Sequence, residues 1–427
     1  MQTQEASIES KDNAPPGEIK IEPEWRQMVE PWWKAFLAIL PIFLITRVIF
    51  LLLTYFGAIL FTVPNYSHQA LSLGTLVRSW YHWDATWYAA IASKGYATPE
   101  YAAFFPLYPL LERIVGLAFH KDVFLAGMLI SNLAFLGTLI VLYRLVETEF
   151  DSDTARRTTL YLAIFPTAFF FFAAYNESLF LFFVLLAFYA MRRSSWWLAG
   201  LFGGLAALTR SMGLLLLLVF LYEFTRQVLP QVRSGWHERH FYQSLKLLAG
   251  LPASLLIPLG LASYAYYLDL RFRDPLALFH AQVHWRIGPT VPWYAPGVAF
   301  KSMSTLSPFT FTTAHNIIDL TAMFLFLTLL VLCFVGPERF AFSQWSMLVF
   351  GLVVLLYPLF YPGMPDATGI NYDVLPSTQR FVLEIFPGFI LLARFGRRPW
   401  FHQAYLLLSL PLLAFFVLQF ITGRWTV

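Results

Sequence analysis

Residues 35–61 read AFLAILPIFLITRVIFLLLTYFGAILF, an apolar run interrupted by one charge, Arg47. A helix crossing a bilayer core needs about 20 such residues, so this segment predicts a membrane span. On its N-terminal side, Pro31-Trp32-Trp33-Lys34 has the make-up of an interfacial anchor. Residues 1–33 are polar, lean acidic and carry Pro15-Pro16, which predicts a mostly disordered cytoplasmic tail ahead of a catalytic domain over 34–427. No short apolar segment with a small-residue cleavage site opens the chain, so a secretory signal peptide is not expected.

Further spans are predicted at 123–146, 247–268, 317–335, 345–361, 381–393 and 404–421. Two regions are harder to read. Residues 159–191 divide into two short apolar pieces at Tyr175-Asn176-Glu177-Ser178, and residues 196–224 divide at Thr209-Arg210-Ser211. Each piece barely crosses the core at about 1.5 Å per residue. Short or re-entrant helices follow, with the breaks below the membrane surface. Irregular backbone survives at that depth only where it lines a protein cavity. The fold class is an all-α polytopic transmembrane bundle of about nine to eleven spans.

Composition agrees. Hydrophobic residues make up 58% of the 427 and charged residues 13%, against roughly 25% charged in a soluble domain. The net charge of +4 is small and scattered, which argues against a nucleic-acid partner. Most of the bases fall in loops that share the side of the N-terminus, the pattern of cytoplasmic loops. The segment 62–122, both breaks, and the loops 269–316 and 362–379 are then extracytoplasmic. The single cysteine, Cys333, allows no internal disulfide or thiolate metal site. No P-loop, dinucleotide fingerprint or serine elbow occurs, so ATP-driven transport and serine hydrolysis have no support.

The polar residues kept among apolar ones carry the functional reading. In Tyr81-His82-Trp83-Asp84-Ala85-Thr86-Trp87-Tyr88, positions 83, 87, 90 and 91 share one helical face, and Asp84 starts that helix. A capping carboxylate on an interfacial helix and a catalytic carboxylate among sugar-stacking aromatics are both open on spacing alone. Asn176-Glu177 is either a turn reaching water or part of a buried site. Arg210 follows a run of small residues and suits a phosphate. Arg380 and Glu384 are four apart, either a structural helix pair or a carboxylate-held phosphate ligand. Arg47 either pairs with a neighbouring helix or meets a ligand phosphate. His280 and His284 have metal-ligand spacing but lack the glutamate of H-E-x-x-H, so an interfacial helix is the better reading and no divalent metal is indicated.

Four stretches in order resemble the PIG-V family and its bacterial relatives within the GT-C superfamily of multi-spanning glycosyltransferases: Trp83-Asp84 with Gly95-Tyr96, Ala103-Phe104-Phe105-Pro106-Leu107-Tyr108-Pro109, Tyr175-Asn176-Glu177-Ser178-Leu179-Phe180, and Leu208-Thr209-Arg210-Ser211. A weaker one runs from Arg273-Asp274-Pro275 through Gln282 to Trp285. The resemblance implies a GT-C-like bundle, a polyprenyl- or dolichyl-phosphate mannose donor and a lipid-linked or glycan acceptor. It puts the catalytic role on Asp84, in the first extracytoplasmic loop. His82 stands where relatives are expected to carry arginine.

On this reading Asp84 is general base in an inverting displacement, Arg210 and Arg380 stabilise the leaving phosphate, and Trp83, Trp87 and Tyr88 shape the pocket. Glu177 orients Arg210 or binds sugar hydroxyls, with Asn176 beside it. A polytopic transporter or lipid flippase is the alternative, since broken helices with buried charges also build transport sites.

Overall fold

A computed structural model describes residues 24–64, 68, 70–237, 241–365 and 373–424. The expected tail over 1–23 lies outside the described residues, as does part of the 362–379 loop. Residues 24–33, assigned above to the tail, are instead helical, because the first helix already begins at Glu24 (Glu24–Thr62). Trp32 explains the extension: its ring packs edge-on to Tyr189 at 5.0 Å, and the Arg144 guanidinium lies 5.9 Å from it.

Seven helices among the described residues are long and apolar enough to cross a membrane. They lie at Met28–Thr62, Val123–Glu149, Ser211–Gly235, Leu245–Phe272, Phe311–Val335, Phe342–Phe360 and Pro399–Ile421. Shorter helices lie among them at Ser152–Ala163, Glu177–Arg192, Trp196–Thr209 and Phe386–Phe395, of which Trp196–Thr209 still exposes Trp197, Leu198 and Leu201. The division of labour follows burial. The first helix exposes Leu44, Ile45, Val48, Leu51, Leu52 and Phe56, an apolar face that suits lipid. Glu177–Arg192 is enclosed, with Glu177, Phe180, Leu181, Val184, Leu185, Ala187 and Phe188 all at 0% exposure.

Helix Trp196–Thr209 packs against Leu256–Phe272 through glycines. A Cβ on Gly204 would lie 2.6 Å from the Leu256 carbonyl oxygen, and one on Gly260 would lie 2.5 Å from the Gly204 oxygen. Small residues admit this close backbone approach.

The first helix break differs from expectation. Helix Ser152–Ala163 stops before Pro166, and residues 164–176 are irregular apart from a short 3-10 turn at Ala168–Phe171. Composition alone makes Phe169-Phe170-Phe171-Phe172 look helical. Proline removes a donor and restrains the residue before it, and neighbouring side chains then satisfy the released backbone. Ser131 accepts from the Tyr175 N–H at 3.3 Å and donates to its carbonyl at 2.7 Å. Asn132 donates to the Phe172 carbonyl at 3.1 Å, and Arg47 to Phe171 at 3.3 Å. Phe135 stacks on Phe171 at 4.4 Å. The second break falls where expected: Trp196–Thr209 ends, Arg210 is extended, and a 3-10 turn over Ser211–Leu215 leads on.

Candidate active site

The two breaks meet at one end of the bundle. Asn176 Nδ2 donates to the carbonyl of Thr209 at 3.0 Å, so the side chain opening one helix covers the exposed carbonyl end of another. The adjacent pair, Glu177 and Arg210, is joined at 2.9 Å. Above them lies a half-open cavity of about 390 Å³, within the roughly 300–1,000 Å³ of ligand sites. Its walls are Trp83, Asp84, Trp87 and Tyr88 from the first long loop, Tyr175 and Asn176, Thr209 to Met212, Trp285 and Arg286, Tyr357, and Ser377, Arg380 and Phe381.

Asp84 opens the helix Asp84–Lys94 as expected, but it does not cap it; the N-cap is Trp83 and no side-chain cap bond forms. Its Oδ2 instead accepts from Arg380 Nη1 at 2.6 Å. Arg380 also binds Glu177 through Nε, and Arg210 reaches Glu384 at 2.5 Å. Asp84, Arg380, Glu177, Arg210 and Glu384 thus form one continuous chain of charge. Three carboxylates face two guanidiniums, leaving one formal negative charge. Glu177 and Glu384 are fully buried, while the Asp84 side chain keeps 28% exposure.

Backbone strain brackets this chain. Trp83 has φ 46°, ψ −118°, and Ser377 has φ 63°. A non-glycine residue held there costs about 1–3 kcal/mol and persists only where its surroundings over-determine it. These two positions stand just before Asp84 and three residues before Arg380.

Several expected roles change. Arg380 and Glu384 do not pair at i,i+4, because Val382–Glu384 is a 3-10 turn whose tighter pitch turns Glu384 off that face. The buried stripe of Asp84–Lys94 is Ala85, Tyr88, Ala89, Ile91 and Ala92, which leaves Trp83 and Trp87 on the cavity wall rather than in the core. Trp87 stacks on Phe104 at 5.5 Å with Trp285 edge-on at 5.8 Å. Arg47 is not in the cavity; it bonds Asn132 at 2.6 Å and lies among Phe43, Phe50, Phe135 and Phe172, holding the irregular segment. His82 does not line the cavity either. Its ring packs on Phe420 at 5.9 Å, and burial pushes its pKa down, so it offers no charge to a phosphate at neutral pH. His280 Nδ1 lies 2.7 Å from Asp274 Oδ2 at the surface.

One residue of the cavity wall escaped the sequence reading. Arg286 lies against Tyr357 at 5.3 Å and Phe381 at 5.7 Å and donates to the Tyr361 carbonyl, but it forms no ion pair among the described residues. Burial lowers its pKa, a penalty that an anionic ligand relieves. The available signal was an arginine directly after Trp285, at the end of the weakest motif.

A sequence-family model described as Mannosyltransferase (PIG-V) matches residues 50–298. That range includes Asp84, Glu177, Arg210 and Arg286 and stops before Arg380 and Glu384. The GPI mannosyltransferase 2 of Drosophila pseudoobscura pseudoobscura is 33% identical over 109 residues, covering 23% of this chain and 24% of that protein. The GPI alpha-1,6-mannosyltransferase 2 of Mus musculus is 30% identical over 202 residues, covering 44% of this chain and 40% of that protein. The chain therefore spans 24% to 40% of the length of these curated relatives. Among solved structures, the apo oligosaccharyltransferase of Archaeoglobus fulgidus is similar with a TM-score of 0.44 and 13% identity, over 90% of this chain and 56% of that one.

Proposed function

Since this chain belongs to the PIG-V family of mannosyltransferases, we propose that it is a membrane glycosyltransferase that moves mannose from a polyprenyl- or dolichyl-phosphate donor to a lipid-linked or glycan acceptor. The observation that carries this reading is the position of Asp84: its carboxylate lies on the wall of a sugar-sized cavity, aligned by Arg380 through one oxygen. Asp84 takes the proton from the acceptor hydroxyl, as a general base within hydrogen-bond reach does. The acceptor oxygen bonds to the anomeric carbon as the bond from that carbon to the phosphate oxygen breaks. The configuration inverts, and polyprenyl phosphate leaves.

Arg210 and Arg380 are committed to three carboxylates, so their charge mainly holds Glu177 and Asp84 in place. Arg286, which forms no ion pair among the described residues, supplies the positive charge for the donor phosphate. Trp83, Trp87 and Tyr88 present aromatic faces to the sugar. Both helix breaks line the same cavity, which supports a one-sided transferase over a transporter. The N-terminus is cytoplasmic and the cavity extracytoplasmic, facing outside the plasma membrane in a prokaryote or the endoplasmic reticulum lumen in a eukaryote.

The test is transfer of labelled mannose from polyprenyl-phosphate mannose in membranes holding the wild type or Asp84→Asn, matched for folded protein. Transfer by the wild type falls by about 10²–10⁴-fold in the variant. Undiminished transfer by Asp84→Asn removes Asp84 as the base. Labelling of introduced cysteines at Ser211 and Ser377 by an impermeant thiol reagent from the outside checks the orientation, and labelling from the cytoplasmic side refutes it.

A further inference from the structure

Behind Arg380, two segments far apart in sequence bring three metal-ligating side chains together. His315 and Asp319 stand one turn apart on the helix Phe311–Val335, and Asp373 comes from the segment that leads to Arg380. One ligand atom from each lies within 4.8 Å of the others. His315 Nδ1 is 3.2 Å from Asp319 Oδ2 and 3.7 Å from Asp373 Oδ2. Atoms bound about 2.1 Å from one ion sit roughly 3.0–3.4 Å apart in octahedral or tetrahedral sites, so little movement closes the set.

Asp319 is fully buried and His315 is 5% exposed. Oδ1 of Asp319 accepts from the Gln379 N–H at 3.2 Å. Its Oδ2, directed at the imidazole, has no hydrogen-bond partner among the described residues. Asn316, 1% exposed, likewise has neither amide atom bonded among them. An enclosed carboxylate whose second oxygen faces only an imidazole, beside a second carboxylate, is costly unless a cation or a proton joins them.

We propose that His315, Asp319 and Asp373 bind a divalent cation that fastens residues 373–380 to the Phe311–Val335 helix and so positions Arg380 at the cavity. One imidazole with two carboxylates and no thiolate favours manganese or zinc over calcium. The consequence for the site is direct. Asp319 holds the Gln379 amide, the Gln379 carbonyl accepts from Thr167 Oγ1 at 2.8 Å, and the next residue is Arg380. The ion therefore acts on the site by positioning, through the chain, and does not touch substrate.

The experiment uses the full-length protein in detergent, stripped with chelator and titrated with Mn²⁺ under electron paramagnetic resonance and with Zn²⁺ by calorimetry. About one ion of at least one metal binds per chain, and Asp319→Asn and His315→Gln each weaken it by at least about tenfold. Hydrogen exchange supplies the positioning readout: metal loading slows the amides of residues 374–381 in the wild type and not in the variants. His315→Gln carries the comparison if Asp319→Asn does not fold. Absence of saturable binding of both ions up to roughly millimolar, binding undisturbed by both variants, or exchange unaffected by loading overturns the proposal. None of these readouts needs the sugar donor, so they stand apart from the transfer reaction.

Discussion

Replacing Arg210 by Gln tests whether the five charged residues act as one unit. Arg210 is 12% exposed and pairs with Glu177 and Glu384, both at 0%. After the substitution Glu177 keeps Arg380, so the uncompensated charge falls on Glu384. Removing one partner from a buried pair costs about 3–5 kcal/mol. At about 2 °C per kcal/mol for a large chain, the unfolding midpoint falls by about 6–10 °C. Neutralising the stranded partner returns much of this, so Arg210→Gln/Glu384→Gln is less damaged than the two single variants summed, by at least about 2 kcal/mol of coupling, or about 4 °C. The protein provides the reporter: Cys333, its one thiol, is fully buried in Phe311–Val335 and reacts with a fluorogenic maleimide only on unfolding. Strictly additive midpoint shifts refute the network.

Three further outcomes follow from particular contacts. Arg286→Ala weakens donor use by about 10–100-fold, the worth of one charge-assisted bond, mainly in KM, while transfer kinetics with Arg286→Lys lie between; an unchanged KM in both removes the phosphate role. Gly204→Val, facing the Leu256 carbonyl, and Gly260→Val, facing that of Gly204, each lower the Cys333-exposure midpoint by overpacking of about 1–3 kcal/mol or more, whereas Gly297→Ala, with nothing within 4 Å of the new methyl, shifts it little. Glu112, fully buried in the Leu107–Gly116 helix with neither oxygen bonded among the described residues, has its pKa raised by burial. The native state then holds a proton that the unfolded chain releases above about pH 4.3, so stability is lost as pH rises from there toward the folded pKa. Glu112→Gln removes this loss, and midpoints measured from pH 5 to 8 decline less steeply in the variant; parallel declines refute it.

The candidate site was half legible. Asp84, Glu177 and Arg210 stand out because they are charges among apolar sequence; Asp84 and Arg210 line the cavity, and Glu177 lies buried behind it, paired to Arg210 and Arg380. Arg47 carried the same signal and belongs to the scaffold. A buried arginine looks the same in sequence whether it serves a ligand or an unpaired carbonyl, and only the path of residues 164–176 distinguishes them. Arg286 carried no such signal, because an arginine in a polar loop is unremarkable until the loop folds over the cavity. The cluster of His315, Asp319 and Asp373 was missed for a related reason. Two of its three members are a helix pair, but the third lies more than fifty residues away.

Sequence alone determined the all-helical, membrane-spanning class, the ends of most long helices, and the existence of two interruptions. These are properties of local hydrophobicity and proline placement, and a bilayer rewards them segment by segment. Tertiary structure decided who pairs with whom: Arg380 with Asp84 and Glu177, Glu384 with Arg210, and Asn176 with the Thr209 carbonyl. Coulombic and hydrogen-bond partners are chosen by distance in space, and among buried helices that distance is set by how glycine faces and irregular turns let the backbones approach.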